Sequence, residues 1–495
     1  TLVVKGSGAG QITAPRIEGE MNLAGGEWRE VALGDGAGRF ELDGNRWRWD
    51  MAFERGYRAR GTLPVNLAGP FHAEVTAEQA DLTGLLSPLR RPLRLPLAAR
   101  GDGRLSISGT LPGFSGLTGQ IELTSFSGTL GEIPWKGRGT TKIGVEQGTF
   151  TILALELAGP DLSVSVQGSV KPGEHLDLGL SGRAPFPILA PWAPAVAGLK
   201  GAPAVTVKLV GPPSRPSVTG RADLKGAEIR VKALPFWFTV GSGEVTFDNN
   251  RVRYDVRDGT LVGGKLTGKG EALRNEGRWD HRVEFAVEKA DLERLLEQAR
   301  LTSFVASGAF FATGSLTFET GGERQPLSTV AGSVALKASN GSLANYPALV
   351  RVFGLLSSPA QPWRLPDLAK ERMPYRRIRG EFAISNGVME TKGLALESEV
   401  IRVSAVGQVL LPSWSLDMDL AVQPLQVLEQ GIRNIPILGR ILPKGQSLAV
   451  VYFDMNGPIA DPEVIIAPVK TLGQSVVEVL LLLLRAPDRL LLPKP

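Results

Sequence analysis

Apolar and polar residues alternate one for one along most of this chain, and that habit restricts the fold more than any other feature. Trp47, Trp49, Met51 and Phe53 alternate with Arg46, Arg48, Asp50 and Glu54; Leu162, Val164 and Val166 alternate with Ser163, Ser165 and Gln167. Val252, Tyr254 and Val256 are set between Arg251, Arg253, Asp255 and Arg257, and Leu416, Met418, Leu420 and Val422 between Asp417 and Asp419. A period of two sends successive side chains to opposite faces of a strand, whereas a helix face needs a period of 3.6. Turn signals such as Gly263-Gly264, Asp248-Asn249-Asn250 and Asn386-Gly387 recur roughly every ten residues, the spacing of hairpins. The pattern predicts an all-β chain of antiparallel strands, about 35–40 of them at ordinary strand and turn lengths. Composition agrees. Sixty glycines and 35 prolines in 495 residues supply the turns, 43% apolar content excludes disorder, and no Gly-X-Y period suggests collagen.

Longer repeats underlie the alternation. Units open with a proline, a glycine and an alternating strand, as in Pro15-Arg16-Ile17-Glu18-Gly19 and Pro216-Ser217-Val218-Thr219-Gly220. The opening glycines Gly19, Gly119, Gly220 and more loosely Gly332 fall roughly a hundred residues apart, which argues for stacked supersecondary units. Two units pass into an Ala-Asp-Leu segment, at Ala80-Asp81-Leu82 and Ala290-Asp291-Leu292. The repeats divide the chain into a β-repeat region (1–300), a C-terminal region (301–468) and a terminal helix with its tail (469–495). Helices are expected at 290–300 with Asp291 as N-cap, at 425–432 and at 469–485. The Pro- and Arg-rich stretch 357–379 reads as a loop or lid.

Most chemistry is excluded by what the chain lacks. It has no cysteine, so disulfides, thiolate metal sites and thiol catalysis are out. Its three histidines, His72, His175 and His281, follow the repeat instead of a metal-ligand spacing and read as solvated strand or turn residues. Residues 263–270 (GGKLTGKG) imitate a phosphate-binding loop, yet Gly270 stands where Ser or Thr would hold magnesium and no helix pattern follows. The Gly-rich turns at 6–10 and 34–36 lack the strand–helix context of a dinucleotide site. Asp417 and Asp419 belong to the solvated face of their strand. A net charge of +5 from 55 basic and 50 acidic residues is too thinly spread for a nucleic-acid interface. No catalytic residue, metal or cofactor is expected, and the chain is not read as an enzyme.

The C-terminal third is more specific. Tyr375-Arg376-Arg377-Ile378-Arg379-Gly380-Glu381-Phe382 leads into Ile384-Ser385-Asn386-Gly387-Val388; Ile401-Arg402-Val403-Ser404-Ala405-Val406-Gly407 and Leu416-Asp417-Met418-Asp419-Leu420 follow. Then come Ile435-Pro436-Ile437-Leu438-Gly439-Arg440-Ile441-Leu442 and Asn456-Gly457-Pro458-Ile459-Ala460-Asp461-Pro462. This order resembles the C-terminal region of the AsmA-like family, the AsmA/TamB/YhdP group, over about residues 300–470. Residues 1–300 resemble the looser upstream repeats of the same group.

The resemblance implies a long curved β-sheet with a hydrophobic groove in the periplasm of a Gram-negative envelope. It further implies an inner-membrane anchor supplied by an N-terminal helix outside this chain, and phospholipid transfer between the inner and outer membranes. The residues are compatible with that. A sheet with few helices to cover it must shelter its apolar face by curling, and an incompletely closed trough keeps an acyl chain dry while its headgroup stays wet. Groove-wall candidates are Val164, Val166, Val252, Tyr254, Val256, Ile401, Val403, Leu416, Met418 and Leu420. In the tail, Val476, Val477, Leu480, Leu483, Leu484 and Arg485 are candidates for contact with a membrane or a membrane protein; the alternative is that this helix caps the last repeat. The competing reading of the whole chain is a structural or assembly factor of the envelope, a scaffold or an aid to outer-membrane protein insertion.

Overall fold

A computed structural model describes residues 2–11, 14–28, 31–83, 96–111, 115–190, 193, 195–232, 236–356, 366–425, 450–469 and 472–485. Among them are thirty β-strands and four α-helices, and the strands pair antiparallel. The helices are α1 (Phe186–Leu189), α2 (Leu292–Gln298), α3 (Pro347–Leu356) and α4 (Gln474–Arg485). The all-β expectation holds, and strands run long: Ser115–Leu130 alone has 16 residues. The chain divides into two units. The first holds Thr1–Trp192, Gly201–Asp223 and Thr246–Asn249; the second holds Ala193–Lys200, Leu224–Val245 and Asn250–Pro495.

In the first unit the strands pair in the order in which they follow one another within the unit. Leu2–Gln11 is followed by Ala14–Trp28, Val31–Asp43, Arg46–Phe53, Tyr57–Pro64, Gly69–Asp81, Leu97–Leu111 and Ser115–Leu130. Ile133–Gly137 and Thr141–Glu146 share the next place in the ladder, and Thr149–Gly159, Leu162–Lys171, His175–Arg183, Ala204–Gly211 and Ser217–Asp223 complete it. The register keeps the two faces apart. Phe40, Trp49, Gly61, Ala73, Ile107, Gly119 and Val145 lie opposite one another across seven successive positions. The adjoining row is Glu41, Arg48, Thr62, His72, Ser108, Thr118 and Glu146. A slip of one residue would exchange the two rows, so the alternation itself locks the register.

Glycine recurs in the apolar rows because aromatic rings lie across it. A Cβ added at Gly61 would come within 2.9 Å of the Trp49 ring and 2.4 Å of the His72 carbonyl. The indole thus rests over a neighbour that has no side chain.

The second unit repeats the scheme. Val196–Lys200, Glu228–Val231 and Trp237–Asp248 pair in turn. From Arg251–Leu261 the ladder runs through Gly264–Asn275, Arg278–Asp291, Ala309–Thr320, Ala331–Ala344, Met373–Ser385, Val388–Ser398, Ile401–Leu410, Ser415–Pro424, Val451–Pro458 and Glu463–Ile466. The Asn386-Gly387 hairpin closes with both residues at positive φ (49° and 77°), the turn geometry whose twist matches that of paired strands.

The Ala-Asp-Leu segments mark a shared structural device. Each follows a register shift, between Ala77 and Ala80 in one unit and between Val287 and Ala290 in the other. Each shift contains a non-glycine residue at positive φ, Gln79 (50°) or Lys289 (56°), and each alanine is fully buried. In the second unit the device ends in α2, whose N-cap is Asp291 as expected: its carboxylate accepts from the Arg294 N–H at 3.2 Å.

Three sequence expectations need correction. Residues 373–379 are not loop: they begin the strand Met373–Ser385, where Tyr375 is buried and Arg377 and Arg379 pair with Glu397. The charge density of that stretch obscured a strand whose arginines share one face. Residues 357–365 lie outside the described part, as does nearly all of 425–432. The terminal helix begins at Gln474, five residues later than expected, and Gly473, a poor helix former, stands immediately before it. Finally, α3 was not anticipated at all.

Candidate functional site

The apolar face of the first unit is the feature that a ligand could use. Trp49, Leu105, Ile107, Ile121, Leu123, Ile143, Leu155 and Leu157 all point to this face, and each remains half-buried. Among the described residues no helix lies over these central positions. At one margin, Leu82, Leu97, Phe126, Leu130, Trp135 and Leu162 gather into a buried cluster joined by Ile188 of α1. Elsewhere on this face the side chains are only partly covered. Val164, a groove candidate, is half-buried here, and Val166 is 9% exposed. A shift in register between Ile152 and Leu155 leaves Leu153 at 75% exposure.

The opposite face of this unit is ionic. Arg58 donates two hydrogen bonds to Asp50 at 2.9 and 2.7 Å and holds that carboxyl below its usual range. Arg60 and Arg104 both reach Glu74, at 2.6 and 3.0 Å, and Arg16 and Arg48 reach Glu41. A concavity of about 940 Å³ lies over this surface, lined by Lys5, Glu18, Arg39, Asp50, Arg60, Glu74 and their neighbours. Its charges are of both signs, and Arg48, Asp50, Arg60 and Glu74 among them are held in cross-strand pairs.

In the second unit the apolar face passes from partly open to closed. Tyr254, Val283, Phe285, Leu316 and Val334 are half-buried, and Val252 and Val256 are 4% and 9% exposed. Burial pushes the Tyr254 hydroxyl up to about 12, so it stays neutral. The other candidates occupy a packed core. Ile401, Val403, Leu416, Met418 and Leu420 are 0–7% exposed, in one cluster with Phe453 and with Ala348, Leu349, Val352, Phe353 and Leu356 of α3. They share the apolar face, as expected, but α3 covers them and they are not an open wall in this structure.

Most of the tail candidates are packed on the sheet. Leu480, Leu483 and Leu484 are 0%, 1% and 4% exposed. Leu480 and Leu484 pack with Ala421, Tyr452 and Ala467 on the sheet face opposite to that under α3. Val476 and Val477 are partly buried in the same cluster, Arg485 is exposed, and Leu482 at 46% is the outward apolar residue. Alternating strands normally leave a polar face. Here Ala395, Ala421 and Ser404 keep side chains small enough for a helix to approach.

His72 and His175 are exposed, as expected, but His281 is not. It is 3% exposed, stacked on Phe318 at 4.5 Å, and its Nε2 hydrogen-bonds Thr320 Oγ1 at 2.8 Å. Its position in the apolar row opposite Ala272 and Phe318 accounts for this, and burial lowers its pKa to about 4. Asp419 lies beside Asp417 and Asp454, and burial with that repulsion raises its pKa. Among the described residues no group of three or more His, Asp or Glu could hold a metal ion, and no helix is long and apolar enough to cross a membrane. Residues 263–270 form a hairpin and open no helix.

With two unlike faces and helix cover at one part of the apolar one, the family comparison becomes informative. Residues 255–464 match the family model described as YhdP protein. Over this stretch the chain is AsmA/YhdP-like. The YhdP-like stretch begins within Arg251–Leu261 and ends within Glu463–Ile466, so it covers the long ladder of the second unit together with α2 and α3. No curated protein matches the chain. Sequence reasoning missed α3 and the half-open residues around Leu105. The first left a signal in Ala348, Leu349, Val352, Phe353 and Leu356, spaced as one helix face after a proline; the second is the plain alternation Arg104-Leu105-Ser106-Ile107-Ser108.

Proposed function

We propose that this AsmA/YhdP-like chain carries phospholipid by its acyl chains along the apolar face of its sheet, as part of a bridge between the inner and outer membranes of a Gram-negative envelope. The family likeness supports a role in envelope lipid transport. The observation that carries the reading is the half-buried apolar face of the first unit, which has partial shelter and no helix over its centre among the described residues. A closed core would gain nothing from a ligand. A half-open one gains about 0.8 kcal/mol for each methylene withdrawn from water. Because the rows repeat with no polar interruption from Phe40 to Val145, an acyl chain meets similar surroundings at each strand and can shift between them without crossing water. The headgroup would remain outside, needing no buried polar partner. Nothing in this process calls for a catalytic residue.

The test is direct. The purified chain, exposed to phosphatidylethanolamine and phosphatidylglycerol vesicles and re-isolated, should carry phospholipid detectable by mass spectrometry, and Leu105→Asp should reduce the load. A chain that emerges free of lipid would favour the structural or assembly reading.

A further inference from the structure

We propose that the sheet surface under α3 is a second acyl-chain-binding stretch, which α3 itself occupies in this structure; the proposal rests on the lipid-carrying reading. One apolar row runs Tyr254, Gly270, Val283, Leu316, Gly332, Ile384, Met389, Val409 and Leu416 across successive strands of the second unit. Val283 and Leu316 are half-buried, whereas Val409 and Leu416 are 3% and 6% exposed. Val409 and Leu416 belong to the buried cluster that α3 joins, whereas Ile384, between the two ends of the row, is buried against Val330 and Leu411 instead. Leu349, Val352, Phe353 and Leu356 therefore fill apolar space of the kind that lies partly open earlier in the same row.

The way α3 is attached suits an occupant better than a permanent layer. Its ten residues are too few for a helix stable by itself, so it depends on contact with the sheet. Gly354 lies within it, in open space, where any other residue would favour the helix more. Asn345, just ahead of it, takes a left-handed conformation (φ 57°) that turns the chain onto the sheet. Arg351 supplies the polar tie on the outer side, to the Asp461 carboxylate at 2.8 Å and to the Pro462 carbonyl. Arg351 and Asp461 are 42% and 66% exposed, so water competes for this tie and little free energy is needed to break it. An acyl chain arriving along the row could replace the apolar side chains of α3 without leaving the sheet bare.

The absence of cysteine makes the test clean. A photoactivatable diazirine residue is placed at Met418, under α3, or at Leu105, on the open face of the first unit, in the full chain. Phosphatidylethanolamine–phosphatidylglycerol vesicles are the lipid source, and lipid adducts are read by mass spectrometry. Arg351→Ala should raise labelling at 418 about two- to fivefold, the range expected for loss of an exposed ion pair. Arg351→Cys with Asp461→Cys, bridged by a short bismaleimide, should abolish labelling at 418 and leave labelling at 105 unchanged. Labelling at 105 with none at 418 in any variant would show that α3 closes a permanent core. Undiminished labelling at 418 in the bridged protein would equally overturn the proposal. No labelling at either position would instead remove the lipid-carrying reading on which it rests.

Discussion

Gly264 lies so close to Ala290 that a Cβ on the glycine would fall 2.3 Å from the alanine nitrogen. The first unit has the counterpart: a Cβ on Gly56 would come within 2.1 Å of the Glu78 carbonyl, two residues before the buried Ala80. At both places the strand bends through a non-glycine residue of positive φ, and the glycine of the preceding hairpin leaves room for the bend. Gly264→Ala should therefore destabilise the chain by about 1–3 kcal/mol, the cost of overpacking against backbone that must shift. Gly354→Ala, with nothing within 4 Å, should instead stabilise it by up to about 1 kcal/mol. Urea unfolding of the two variants gives opposite signs if this account is right.

A charge should be tolerated differently on the two parts of the apolar surface. Leu105 is half-buried, so Leu105→Asp can keep its carboxylate wet; the protein should stay folded while lipid loading falls. Val403 is 7% exposed beneath α3, and Val403→Asp should cost about 3 kcal/mol or more, because its carboxylate loses water and gains no partner. Thermal melting separates the pair.

The buried imidazole makes stability depend on pH. The His281 pKa is about 4 in the folded chain against an ordinary 6.5, so between these values the unfolded chain binds more protons. Stability should therefore fall as pH drops from about 6.5 to about 4, by at most about 3 kcal/mol, and this contribution should level off below. Asp280 nearby favours the charged ring and Lys232 opposes it, with burial outweighing both. His281→Gln should flatten this segment of the stability profile. A variant that kept the full slope would assign it to carboxylates instead.

The terminal helix is held from the sheet side. Ser404 Oγ donates to the Leu480 carbonyl at 2.9 Å, and both residues are fully buried. Leu480→Ala should cost about 2–5 kcal/mol. Leu482→Ser, at an outward position, should stay within about 0.5 kcal/mol of the parent. If Leu482→Ser alone abolished binding to vesicles, the outer side of α4 would be the membrane contact.

Strand character and register were legible because a period of two admits few alternatives once one face is apolar. Residues from Trp47 to Phe53 and from Leu416 to Val422 lie as their alternation required. Asp291 could be read as a cap because its side-chain chemistry is local. What could not be read was which apolar residues would be covered. Val403 and Val164 look alike in sequence, and only α3, arriving from 50 residues upstream of Val403, distinguishes a packed position from a half-open one. His281 was misread for a related reason: its strand neighbours Asp280 and Arg282 are polar, but its own row is not. In the tail, an apolar helix face gives no sign of whether it meets lipid or the small side chains of Ala421 and Ser404.

Pairing most strands with a near neighbour in sequence has a kinetic consequence. Most contacts close over one tight turn, so the entropy lost in forming each is small. Any hairpin can serve as a seed, and the next strand adds to an edge already in register. Such a chain is suited to fold from its N-terminus as it emerges during synthesis, and the strand at the growing edge is for most of the ladder the one about to be paired.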